Sequence, residues 1–243
     1  GGLSSTQLGA ISTANISQLA TTQLAALTTT QVKGLTAGQV GALNATNVGA
    51  LATTQIAALT TPQVALLAST QTGQLSTTQV AALATTQVAA LTTTAFSSLT
   101  ATQAGALTTT QVAALTTAQL NGLTTTDIGE LATTQVAALT TAQVATLSAT
   151  NVSALNATQT AALADTQVKA LTAAQLKGLS TTDIGDFTTT QVAALAVTQL
   201  TALGNNVSAL SATQTKALTT TQVKGLTADQ IKNLTATDIG EFT

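Results

Sequence analysis

Hydrophobic positions recur every eight residues. Leu, once Ile and twice Phe, stands at 3, 11, 19, 27 and each eighth position to 203, then at 210, 218, 226, 234 and 242. The change of phase is a one-residue deletion in the stretch Gly204-Asn205-Asn206. A representative octad, residues 107–114, runs Leu-Thr-Thr-Thr-Gln-Val-Ala-Ala, and the 31 anchors bound 30 such units. The fifth position is Gln, Asn or Asp except at Ala95. The sixth is aliphatic or Phe except at Thr72, Ala104, Thr160 and Thr215. The second is Thr, Ser or Asn with Ala as its common substitute, and the seventh and eighth are mostly Ala, Gly or Lys.

This arrangement is a helix start signal repeated from end to end. With position two as N-cap, position five is the third residue of the helix, so Thr28-x-x-Gln31 and Thr108-x-x-Gln111 are capping boxes. The anchor and the sixth residue, for example Leu27 and Val32, then form the hydrophobic staple pair. Pro62 falls in a first helical turn, where a missing N–H costs little. One long helix is excluded, because eight residues advance roughly 800° and the apolar stripe drifts about 80° per octad. The pattern predicts an all-α superhelical solenoid of very short helices, one per octad. A β-solenoid is the alternative, since Thr and Val favour strands and an even period keeps each residue on one face. Strand alternation, however, puts Leu with Gln on one face and Val with Thr on the other, leaving neither apolar.

No linker interrupts the array, so residues 1–243 are expected to form one continuous domain. An octad buries one Leu and one Val at about 1.5–3 kcal/mol each, whereas ordering its residues costs about 1.5 kcal/mol apiece. Octads must therefore share a core with neighbouring turns. Small residues at positions seven and eight would let those turns approach closely.

A longer period of about 56 residues overlies the short one. Thr126-Asp127-Ile128-Gly129-Glu130 returns as Thr182-Asp183-Ile184-Gly185-Asp186 and as Thr237-Asp238-Ile239-Gly240-Glu241. Asn151-Val152-Ser153-Ala154 returns at 206–209, and Lys169 and Lys177 return as Lys224 and Lys232. Either a seven-octad segment was duplicated without geometric consequence, or seven octads make one superhelical turn and place residue i beside i+56.

Composition then narrows the function. There is no His, Cys, Met, Trp or Tyr, about a quarter of the chain is Thr, and charged residues make up 6% against roughly 25% in typical domains. Without imidazole or thiol, the common hydrolase, zinc and redox designs are excluded. Six Lys, no Arg and eight acidic residues give a net charge of −2, and residues 34–126 carry no charge. Nucleic-acid binding, which needs clustered cations and aromatic platforms, is not expected. Mean hydropathy is positive, yet Thr and Gln interrupt every window long enough to span a membrane, so no transmembrane helix is predicted. The opening Gly1-Gly2-Leu3-Ser4 lacks an initiator Met and a signal region, as expected of a piece of a longer chain.

The acidic pairs Asp127/Glu130, Asp183/Asp186 and Asp238/Glu241 are the recurrent carboxylates. They lack the nucleophile and the enclosing walls of a catalytic dyad. If their columns stack, they could converge on Ca²⁺; otherwise the Asp supports its helix cap, with Lys177 or Lys232 balancing its charge. Rows of Thr also admit an ice- or carbohydrate-contacting surface. No catalytic, cofactor-binding or metal-binding residue is assigned, and neither a cofactor nor a small-molecule substrate is expected.

The runs 107–115 and 131–139, both built on Leu-x-Thr-Thr-Gln-Val-Ala-Ala-Leu, resemble octapeptide tracts of giant bacterial secreted adhesin-like proteins. That resemblance implies an extracellular, nonenzymatic role as a filament or as the stalk of a large surface adhesin. The expected surface is mostly Thr and Gln with little charge. Such a surface repels its own copies weakly, and an array open at both ends favours self-association or continuation of the same repeat.

Overall fold

The computed structural model describes residues 2–242. Among them are 29 α-helices of four to six residues and one 3-10 helix, with no strand. The helical solenoid is therefore the arrangement adopted. Contacts divide the chain into two units, Gly1–Leu123 and Thr124–Thr243, each built on the same plan.

Every α-helix begins where the capping pattern places it. Position two is the N-cap in extended conformation, and the helix runs from position three to position six, seven or eight. In Thr29–Gly34, the Thr28 hydroxyl accepts the Gln31 amide at 3.2 Å, while Gln31 Oε1 accepts the Thr28 amide at 2.8 Å. Where position two is Ala there is no side-chain acceptor, and half of the box is lost. At Ala52 the Gln55 amide instead reaches the Ala52 carbonyl at 2.8 Å, and Gln55 Oε1 still accepts the Ala52 amide. That retained half is why Ala is tolerated at so many N-caps.

Each helix closes with a bond from the following anchor amide to the carbonyl of position six, as from Leu35 to Val32 at 3.2 Å. The next two residues are extended. Leu35 (φ −64°, ψ 143°) and Thr36 (φ −71°, ψ 156°) have polyproline-like torsions and turn the chain before the next helix starts. Anchors and sixth residues form the core: Val80, Val112 and Val168 are fully buried and Leu83, Leu107 and Leu163 nearly so.

Within each unit, a helix packs against the third helix further along. Ser5–Gly9 meets Thr29–Gly34, which meets Thr53–Ala58; in the second unit Asp165–Lys169 meets Thr189–Ala194. Hydrogen bonds between turns span 28 to 31 residues, so one turn takes between three and four octads. Seven octads therefore cover about two turns rather than one, and residue i lies beside residues about 28 away, not 56. The two-residue linkers turn the chain more sharply than a seven-octad turn would require.

The small residues of positions seven and eight line the seam between turns. A Cβ on Gly34 would run into the Ser5 side chain and lie 2.8 Å from its backbone. Gly41 and Gly49, in turn, leave room for Leu66 and Gln74, whose carbonyls would stand 3.1 and 3.0 Å from an added Cβ. A larger residue at position eight is thus matched by glycine at position seven of the preceding turn.

The one-residue deletion is absorbed locally. Gly204 takes a left-handed φ of 56°, and Gly204–Ala209 forms the 3-10 helix. Beyond it, Gln214 bonds the Phe187 carbonyl 27 residues back and the Ile184 carbonyl 30 back. These are the same octad positions reached elsewhere over 28 and 31. The turn has shortened by one residue and kept its partners.

Gly34→Ala is expected to lower the thermal midpoint followed by circular dichroism, because the clash is with backbone. Gly38→Ala should raise it, by up to about 1 kcal/mol in stability, since a Cβ there meets nothing within 4 Å and restricts the unfolded chain.

Candidate functional surface

Position five is the chemical centre of each octad. The Gln side chain was expected at the surface; from Gln39 onward the structure buries it almost completely at most octads. Its carboxamide makes three short hydrogen bonds, joined at many octads by a longer one to the carbonyl of position seven, which for Gln111 is Ala81 at 3.4 Å. In Gln111, Oε1 accepts the Thr108 amide at 2.7 Å, and Nε2 donates to the Val80 carbonyl at 2.9 Å and to the Leu83 carbonyl at 2.7 Å. Val80 lies in the last turn of one octad's helix and Leu83 is the anchor of the next octad, so each Gln bridges two octads of the preceding turn. Leu83 lies in the extended linker, where no helical amide is positioned to reach its carbonyl. The same rung recurs at Gln63 and Gln119 in the first unit and at Gln159, Gln175 and Gln191 in the second. Among the described residues no buried side-chain N or O lacks a partner.

The other residues at this position perform parts of the task. Asn47, one methylene shorter, donates to the Leu19 carbonyl at 3.0 Å, but its helix has no reciprocal capping box. Asn206 likewise donates to Leu179 at 3.0 Å. Asp183 does the reverse: its Oδ2 accepts the Ser180 amide at 2.7 Å and the Ser153 hydroxyl at 2.6 Å. A carboxylate has no N–H, so Asp183 supplies no rung to Val152 or Leu155. Ala95 supplies neither function and is buried beside Phe96.

The acidic pairs follow from this geometry. Asp127, Asp183 and Asp238 each cap a helix start, and Glu130, Asp186 and Glu241 each stand at the C-cap of the same helix. The columns do not converge, because residues 56 apart are separated by about two turns. Among the described residues no three acidic side chains group as a metal site. Lys232 pairs with Asp229 at 3.4 Å, both highly exposed, an ion pair worth little to stability. It is not the expected pairing of Lys232 with the acidic column.

What faces solvent is hydroxyl. Positions two and four are mostly exposed in both units, and their side chains often bond each other: Ser76 with Thr78 at 2.9 Å, Thr108 with Thr110 at 3.0 Å, Thr188 with Thr190 at 2.9 Å. Ser69, Thr93, Thr94 and Ser98 line a shallow hydroxyl-rich hollow in the first unit, with no charged group in its wall. Beneath it Thr72, an exception at position six, is fully buried and bonds the Ala95 carbonyl at 2.9 Å and the Ser98 hydroxyl at 2.8 Å. None of the described helices is long and apolar enough to cross a membrane.

A family model described as the ALTTAQ repeat matches residues 80–117. Its six-letter signature occurs in full at residues 114–119 and again at 138–143. No curated protein and no solved structure matches the chain.

Two measurements test this account of position five. Gln111→Ala should cost about 3 kcal/mol in urea unfolding, since it leaves the Leu83 carbonyl and the Thr108 amide without partners and the Val80 carbonyl with only its bond from Leu83, whereas Thr110→Ala should stay within about 0.5 kcal/mol. Asp183→Gln should add about 1 kcal/mol by restoring the missing rung, and millimolar Ca²⁺ should leave the melting temperature of the unaltered chain unchanged.

Proposed function

We propose that this chain is a nonenzymatic structural repeat protein of the bacterial exterior, serving as a filament subunit or as the stalk of a large surface adhesin. The observation that carries this reading is the allocation of roles within the octad. The anchor and sixth residue make the core, positions two and five start the helix, position five joins the turns, and positions seven and eight form the seam. The remaining side chains are mostly exposed hydroxyls and small groups. Nothing in that division provides a nucleophile, a general base or an enclosed apolar pocket, which enzymes and small-molecule binders need. Stacked turns of uniform chemistry suit a part whose task is to span distance. The near-absence of charge supports association of copies, because like surfaces repel weakly.

The exposed hydroxyl pairs at positions two and four favour a second reading, a surface that contacts ice or carbohydrate. Thr presents both a hydroxyl and a methyl at regular intervals there.

Immunogold labelling of intact source cells with an antibody to the chain should mark extracellular fibres or the cell surface. Antigen confined to the cytoplasmic fraction would reject the proposal. Freezing-hysteresis measurement on the purified chain separates the two readings: none is expected of a structural part, and clear activity would favour the Thr surface.

A further inference from the structure

Six Asn-x-Ser/Thr triplets, the pattern that accepts N-linked sugar, begin at Asn15, Asn44, Asn151, Asn156, Asn206 and Asn233. In so Thr-rich a chain such triplets arise by chance, and the pattern alone marks no site. What the fold does with each depends on where it falls in the octad. A transferase must reach two groups: the Asn Nδ2 that takes the sugar, and the hydroxyl two residues on that distinguishes the triplet.

Four of the six do not offer both. Asn15, Asn151 and Asn206 stand at position five, which puts the hydroxyl at position seven, on the seam. There Ser17 donates to the Ala14 carbonyl at 2.7 Å, Ser153 to the Asp183 carboxylate at 2.6 Å and Ser208 to the Asn205 carbonyl at 3.0 Å. Asn151 is also buried, and Asn206 gives its Nδ2 to the Leu179 carbonyl. Asn233, at position eight, donates Nδ2 to the Asp229 carbonyl at 2.6 Å and to Asn205 Oδ1 at 3.1 Å. Its hydroxyl, on Thr235, caps the next helix and donates to Asp238.

Asn44 and Asn156 stand at position two, where the arrangement is reversed. Both are exposed, and the hydroxyls of their triplets, on Thr46 and Thr158, fall at position four and are exposed too. The fold uses only Oδ1 of each Asn side chain. Asn44 Oδ1 accepts the Asn47 amide at 2.8 Å, and Asn156 Oδ1 accepts the Gln159 amide at 3.0 Å. Among the described residues neither Nδ2 has a hydrogen-bond partner. Thr158 donates to Oδ1 of its own Asn at 2.6 Å, so hydroxyl and carboxamide are held side by side.

We propose that Asn44 and Asn156, one in each unit, are acceptors of N-linked sugar, transferred to the folded surface from a glycosyl diphosphate. Nδ2 attacks C1 of the sugar. The N–C1 bond forms as the C1–O bond to the diphosphate breaks, the diphosphate leaves with the electron pair, and one amide proton passes to a base of the transferase. Oδ1 is untouched, so the cap bond survives the modification. At position five the same sugar would occupy a rung donor and force a bulky solvated group into the seam. The proposal goes beyond the structural role and holds for a filament subunit and a stalk alike.

Peptide mass mapping of the whole chain isolated from its source cells tests it. Sugar is expected on Asn44 and Asn156, with Asn15, Asn151, Asn206 and Asn233 unmodified. A single hexose identifies a nucleotide-linked donor and an oligosaccharide a lipid-linked one; either supports the proposal. Thr46→Ala should remove the sugar from Asn44 alone, Thr158→Ala should remove it from Asn156 alone, and Thr158→Ser should retain it, all with unchanged far-UV spectra because position four is exposed. Unmodified Asn at both 44 and 156 overturns the proposal. So does equal occupancy at the other four triplets, or sugar that persists in the Ala variants.

Discussion

The structure depends on one carboxamide with three bonds to make. A helix of four to six residues cannot satisfy its own ends, and here it leads into a two-residue extended linker whose first carbonyl, that of the anchor, has no helical partner. Gln at position five resolves both problems together. Its oxygen closes the cap of its own helix, and its two N–H groups take up the end of one helix and the linker after it, a turn below. Gln111 shows the arrangement in full, at 2.7, 2.9 and 2.7 Å. The substitutions at this position separate the two tasks. Asn47 reaches the neighbouring turn but does not close a capping box, whereas Asp183 caps but has nothing to donate. Only a side chain with the length of Gln and both halves of an amide does everything, which accounts for its dominance at position five.

Because each Gln bridges two octads, successive turns are staggered by about half an octad. A rung spacing of 28 residues is three and a half octads, and whole octads come back into register only after two turns, which is 56 residues. The long sequence period and the stagger therefore share one arithmetic. The seam supports it, since position eight meets position three or seven of a neighbouring turn, as Gly34 meets Ser5 and Leu66 meets Gly41. A seven-octad duplication would preserve all of these pairings, whereas an insertion of one octad would exchange them.

Much of this was legible in the residues. Ser, Thr or Asn followed three positions later by Gln is a cap whose two partners both lie inside the octad, so the helix starts could be placed almost to the residue. The burial of Leu and Val followed from their periodicity. The other half of the Gln amide was not legible, because its acceptors are backbone carbonyls, which every residue carries and which leave no mark on composition. The residue type most identified with the surface, Gln, accordingly proved to be the buried polar element. The acidic columns misled for a related reason: their recurrence is visible in sequence, but the number of turns separating them is set by the linker torsions of residues such as Leu35 and Thr36.

The deletion at Gly204 shows how forgiving the arrangement is. A residue is lost, one turn tightens into a 3-10 helix, and Gln214 still finds the carbonyls of Ile184 and Phe187. The rungs also determine how a unit responds to load. Each turn is held to the next by a few carboxamides and a strip of Leu and Val contacts, and within a turn the helices are too short to hold themselves together. Tension on the ends would peel turns off one at a time, each releasing about 28 residues, or roughly 95 Å of extended chain. A unit loaded in this way would lengthen in equal steps, one for each turn whose rungs are broken.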